Sequence, residues 1–129
     1  MKKEISTRKE VYELVTAFYG KIRKDELLGP IFEKHIKDWD SHFERLTDFW
    51  ETNLFFVNKF KGNPMHKHQM VDAAENHTID ANHFGVWLNI WFQTIDELFV
   101  GEKAMIAKNR ARNMGTFFHL HIFEARKKD

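Results

Sequence analysis

Apolar side chains recur every three to four positions along almost the whole chain. Val11, Leu14, Val15, Phe18 and Ile22 form one such stripe, and Phe43, Leu46, Phe49, Trp50, Leu54, Val57 and Phe60 form a second. His83, Phe84, Trp87, Leu88, Trp91, Ile95, Leu98 and Phe99 form a third. That period gathers side chains on one face of a helix and scatters them over both faces of a strand, so it predicts an all-α fold. Thr7 followed three residues later by Glu10 has the pattern of a capping box at the start of the first helix. Gly29-Pro30 closes that unit, and Ile31, Phe32 and Ile36 follow in one or two helical turns. Asp40 or Ser41 can cap the second long helix, which Gly62 and Pro64 stop. A short helix is expected within residues 65 to 76 and a loop from 76 to 80. Asp80 can then cap a third long helix, and Gly101 ends it. From Glu102 to Arg126 the pattern is mixed, because Phe118, Leu120 and Ile122 alternate with His119 and His121 as in a strand. The length of the segment and its lack of turn residues favour a helix. With no repeat or linker, residues 1–129 read as a single domain of four main helices.

The 129 residues are enough to bury about two-thirds of the unfolded surface without staples. The absence of cysteine excludes disulfides, thiolate metal sites and cysteine nucleophiles. No apolar run is long enough for a signal peptide or a membrane span, so a cytoplasmic location is expected. Twenty basic residues face nineteen acidic ones, which argues against a nucleic-acid binder. The basic tail Arg126-Lys127-Lys128 suits the negative end of a helix dipole. Thirteen phenylalanines and an aromatic content of 15% exceed what a small helical core requires. They suit a large, flat, apolar ligand, with a Phe-rich core as the ordinary alternative.

The stretch Gly62-Asn63-Pro64-Met65-His66-Lys67-His68 offers two histidines after a helix break. Each helical residue advances about 100°, so His66 and His68 on one helix point about 200° apart and cannot both face one site. A lone loop histidine is ordinarily solvated. Elsewhere, His42, Leu46, Phe49 and Asn53 share one face of the second helix, with a polar group at one end of an apolar wall. Tyr19 lies beside the first apolar stripe, where a buried phenol needs a partner. Trp39, Trp50 and Trp91 read as core.

Six blocks in order resemble the third group of the truncated haemoglobins. They are Phe18-Tyr19-Gly20-Lys21-Ile22-Arg23, Leu28-Gly29-Pro30-Ile31-Phe32, Asp38-Trp39 with His42, Asp48-Phe49-Trp50, Gly62-Asn63-Pro64-Met65 with His68, and His83-Phe84-Gly85-Val86-Trp87-Leu88. The resemblance implies a two-over-two helical sandwich of the truncated-globin type enclosing one haem b. It implies that His68 is the proximal ligand of the iron, and that His66 looks outward. It implies that Tyr19, His42 and Trp87 stand on the distal side, and that Phe18, Phe32, Leu46, Phe49 and Phe84 supply apolar pocket walls. Val71, three residues after His68, departs from the leucine usual there, and the stretch 71–82 is longer than usual.

Up to three hydrogen-bond donors around one ligand in a dry pocket would stabilise a partly negative ligand strongly. Slow release of dioxygen follows, which favours chemistry on dioxygen, peroxide or nitric oxide over transport, of a peroxidase-like or nitric oxide dioxygenase-like kind. Carbon monoxide is a further expected ligand, an unidentified reductase the expected electron source, and a monomer the expected state. Two other classes remain open on the residues alone. One is a non-haem metal protein built from His66, His68, His77 and His83 with Asp72, Glu75 or Asp80. The other is a cofactor-free helical module that meets a partner through exposed aromatics.

Overall fold

The first apolar stripe is the centre of the core. In the computed structural model, which describes residues 2–57 and 81–128 and the side chains within 2–57 and 82–115, Val11, Leu14, Val15, Phe18 and Ile22 are all essentially inaccessible to solvent. They line one side of helix α1 (Arg8–Ile22). Burying each such side chain contributes about 1.5–3 kcal/mol. The capping box is present: Glu10 Oε1 accepts the Thr7 backbone N–H at 2.9 Å and the Thr7 hydroxyl at 3.0 Å. Desolvation pulls the Glu10 carboxyl up, but hydrogen bonds from Ser6 and Thr7 outweigh it and set it at about 2.

Helix α2 (Gly29–His35) begins at the Gly-Pro pair expected only to close the preceding unit. Proline fits there because the first helical N–H groups have no partner within the helix. Helix α3 (Trp39–Phe55) starts earlier than either expected cap would allow. Asp38 is the cap, because its carboxylate accepts both Ser41 N at 3.2 Å and Ser41 Oγ at 2.9 Å. The helix also ends before Gly62-Pro64, at Phe56, whose φ of 59° is left-handed. Val57 therefore lies outside the helix, 38% exposed, and does not extend its buried face. Phe60, Gly62, Pro64, the short helix expected in 65–76 and the Asp80 cap lie outside the described residues.

Helices α4 (Ala81–Leu98) and α5 (Glu102–Lys128) complete the five helices of the described residues. The whole of 102–128 is helical, so the strand-like alternation near its end does not set its structure. Gly101 turns the chain between them at φ +102°, where a side chain is strained. The N-terminal segment lies along this corner. Lys3 N donates to Leu98 O, Val100 N donates to Lys3 O at 3.0 Å, and Ile5 is buried. The four long helices pack in a ring: α1 on α3 and α4, α5 on α4 and α3.

Polar groups tie two of these helices together. Arg8 of α1 donates to Glu44 at 2.5 Å, to Asp48 at 2.6 Å and to Glu51, all on α3. Its guanidinium is held protonated above its ordinary range, chiefly by Asp48. Glu51 is buried, and Arg8 supplies it with a counter-charge inside the α1–α3 interface. Trp50 and Trp91 stack at 4.6 Å across the core, and the Trp91 indole N–H donates to Ala107 O at 3.2 Å, which satisfies it.

Candidate functional site

Tyr19 follows Phe18 on α1, so its side chain is rotated about 100° from the Phe18 direction. Phe18 points at the tryptophans of α4, meeting Trp87 at 5.6 Å and Trp91 at 4.9 Å, both edge-on. Tyr19 instead meets the start of α3. Its ring lies 4.9 Å from the His42 imidazole at 79°, 5.8 Å from Trp39 and 5.9 Å from Phe43. Phe32 of α2 adds an edge contact at 5.8 Å. Three helices thus converge on one phenol, which is 5% exposed.

Burial pushes the Tyr19 phenol above its ordinary value. The group stays a neutral O–H donor throughout the physiological range. His42 Nε2 beside it is shielded from solvent. An imidazole and a phenol in contact, inside an apolar aromatic cage, make a pair of polar groups in a low-dielectric pocket.

The remaining expected residues are distributed as follows. Trp87 joins the cluster through Phe18, which also meets Tyr19 at 5.0 Å, and stacks nearly parallel on Trp91 at 6.2 Å. Leu46 and Phe49 of α3 are half-buried against the core. Phe84 is half-buried in the first turn of α4. His68 and His66 lie outside the described residues. So do His77, Asp72, Glu75 and Asp80 of the non-haem alternative, whereas its His83 is half-buried on α4. Among the described residues no group of three His, Cys, Asp or Glu is placed to hold a metal ion. No described helix is long and apolar enough to cross a membrane.

Two members of the cluster were not singled out from the sequence as site residues. Trp39 touches both Tyr19 and His42, the latter at 5.8 Å, and Phe43 touches Tyr19 and Trp39. The available signal for Trp39 is its place three residues before His42, one helical turn away on the same face. An open groove lined by Tyr12, Asp40, Ser41, Glu44, Arg45 and Asp48 runs over the outside of α1 and α3. It faces solvent beside the Arg8 network and contains none of the candidate residues.

No known protein-family model matches the chain. Over 128 residues it is 25% identical to a group 3 truncated hemoglobin of Campylobacter jejuni, covering 96% of this chain and 97% of that protein. The crystal structure of a group III truncated hemoglobin from Campylobacter jejuni matches the fold with a TM-score of 0.83, at 26% identity and over 95% of each chain. In sequence and in fold the chain is similar to the group III truncated haemoglobins. The six-block resemblance and the all-α, truncated-globin-like fold are both borne out, and the similarity extends beyond the blocks to 96% of the chain. The cluster around Tyr19 is where a buried phenol meets an imidazole among the described residues.

Proposed function

We propose that this chain binds one haem b, with His68 as the proximal ligand of the iron and Tyr19, His42 and Trp87 on the distal side. Phe18, Phe32, Leu46, Phe49 and Phe84 would contribute apolar walls. The family likeness supports haem and small-ligand binding in general, and the donor chemistry supports the distal assignment. The haem would supply an iron that takes up small ligands and exchanges electrons with them. The protein's part is to hold it in a dry cage, exclude water and aim donors.

The observation that carries the reading is the buried Tyr19 phenol, in contact with His42 and shifted by burial. A desolvated hydroxyl held as a neutral donor is costly to the fold, and a partly negative ligand is the partner that would use it. One such hydrogen bond contributes about 1–1.5 kcal/mol, which corresponds to about a tenfold slower release. Retention of this kind suits conversion of dioxygen, peroxide or nitric oxide better than carriage of dioxygen, with electrons supplied by a separate reductase.

The test begins with the spectrum of the purified chain. A Soret band that moves on adding carbon monoxide supports the reading, and a colourless chain that takes up no added haemin removes it. His68→Gly should lose the axial ligand and regain its spectrum with added imidazole, while His66→Ala should behave as the unaltered chain. Dioxygen release as fast as from a transport globin, and indifferent to Tyr19→Phe, would remove the catalytic half of the proposal.

A further inference from the structure

We infer that Trp39 is a positioning residue for the distal pair Tyr19 and His42, and that Arg23 and Glu33 hold Trp39 in place. The inference rests on the haem reading above. Tyr19 and His42 stand on different helices and meet edge to face at 4.9 Å. A single edge contact leaves two rings free to rock together. Trp39 closes the triangle, meeting Tyr19 at 5.8 Å and 62° and His42 at 5.8 Å and 89°. With all three sides made, neither the phenol nor the imidazole can change direction without displacing the indole.

Trp39 needs holding itself, because it is the first residue of α3 and only half-buried. First turns lack internal hydrogen bonds and fray readily. Arg23, just past the end of α1, lies over its ring with the guanidinium carbon 4.3 Å from the centroid. A planar guanidinium stacks well on an indole face. Arg23 Nε in turn donates to Glu33 Oε1 of α2 at 2.5 Å. The clamp therefore joins α1, α2 and α3 over the ring that packs against the phenol. An ordinary surface stacking pair would touch one neighbour; this indole touches both candidate donors.

The chain has two tyrosines, so Tyr12→Phe leaves Tyr19 as the sole reporter phenol. Fluorotyrosine placed there gives one ¹⁹F resonance, read on the full chain as purified and again as its carbon monoxide complex. A single narrow line is expected with Trp39 present. Trp39→Ala should split or broaden it and shift it toward the solvent-exposed position, and Trp39→Phe should restore most of the original line. Arg23→Gln, at an exposed residue, should move the line in the same direction by less, and it decides the question if Trp39→Ala does not fold. Glu97→Gln breaks a different ion pair near the same end of α1, with Lys21 at 2.6 Å, and should leave the line alone. In the haem-loaded chain Trp39→Ala should speed dioxygen release about tenfold, with little further gain on adding Tyr19→Phe, since both act through one hydrogen bond. A Tyr19 line and a release rate unchanged by Trp39→Ala, while Tyr19→Phe alone accelerates release, would overturn the inference and leave the haem reading standing. Absence of any haem spectrum would sink that reading, and the ¹⁹F line of the purified chain would still decide whether Trp39 positions the phenol.

Discussion

Removing one oxygen atom at Tyr19 should make the fold more stable and the site less effective. Tyr19→Phe keeps the ring, and with it the edge contacts to Phe18, Phe32, Trp39 and His42. No cavity is created. What disappears is a largely desolvated hydroxyl with no hydrogen-bond partner among the described residues. An unmet buried hydroxyl costs about 1–3 kcal/mol. The low end applies here because the residue retains 5% exposure. At neutral pH and without a distal ligand, the variant should therefore gain about 1 kcal/mol in chemical denaturation.

The pH dependence supplies a second, independent reading of the same atom. Burial raises the folded-state phenol above 10.0, its unperturbed value. Above pH 10 the unfolded chain releases this proton while the folded chain keeps it. The unfolded state then binds fewer protons, so stability falls as pH rises toward the folded value. The slope is about 1.4 kcal/mol per pH unit for one proton. The difference between the unaltered chain and Tyr19→Phe should be flat below pH 10 and widen in favour of the variant above it. A variant less stable by more than about 1 kcal/mol, or a difference flat through pH 11, would mean that the hydroxyl has a partner in the folded chain. The argument for a donor reserved for a ligand would then fail.

Arg8→Leu should destabilise the chain by about 2 kcal/mol in urea, because a charge-assisted hydrogen bond to the buried Glu51 is lost while the partly exposed contacts to Glu44 and Asp48 contribute little. Adding Glu51→Gln should recover about half of that loss, and additive effects would show that the pair is not coupled. Acid should melt the first turn of α1 selectively: the Glu10 contribution is present above pH 4.5 and lost as pH falls toward about 2, read as amide exchange at Ser6 and Thr7. Glu10→Gln should remove that pH dependence. Gly101→Ala should cost about 1–2 kcal/mol, since its φ of +102° is strained for a side chain and the added carbon would meet Glu4 Oε1 at 2.6 Å; a neutral result would show that the corner relaxes.

The features that could be read from the chain are those decided by near neighbours. The stripe from Val11 to Ile22 needs only helical spacing, and the Thr7–Glu10 box only three residues of separation. The ends of α3 were misread for physical reasons. Asp38, Asp40 and Ser41 are all good caps, and the choice among them rests on which carboxylate reaches which N–H: Asp38 reaches Ser41, two residues before the first cap considered. The other end turns at Phe56, an aromatic residue in a conformation usually left to glycine or asparagine, so no composition rule points to it. The site itself is non-local. Tyr19 and His42 are brought together by the packing of α1 on α3, which spacing does not encode, so their pairing was accessible through family likeness alone. Trp39 was read as core, and its half-burial at the rim follows from the placement of α2 and Arg23.

The cluster also explains why so much polar bonding is spent between α1 and α3. Polar rings on two helices keep a fixed separation only if the helices cannot slide. Near its N-terminal end α1 is fixed to α3 by Arg8, whose three carboxylates span Glu44 to Glu51, two turns of the partner helix. Beyond its C-terminal end it is fixed by Arg23, stacked on Trp39 and bonded to Glu33. Tyr19 and His42 lie between these two ties. Sliding along the helix axis would have to break the Arg8 network, and rocking about it would have to lift the Arg23 clamp. Leu14, Val15 and Phe18 resist separation by burial, but apolar packing is non-directional and tolerates small shifts more readily than charge-assisted hydrogen bonds do. Pre-set donor geometry is what makes a polar group in a dry pocket effective, because no reorganisation is then needed when a ligand arrives. The aromatic excess that first set this chain apart is, on this view, divided between two tasks. Trp91 of α4 fills the core with Trp50, while Phe32, Trp39 and Phe43 hold a phenol and an imidazole at a fixed angle.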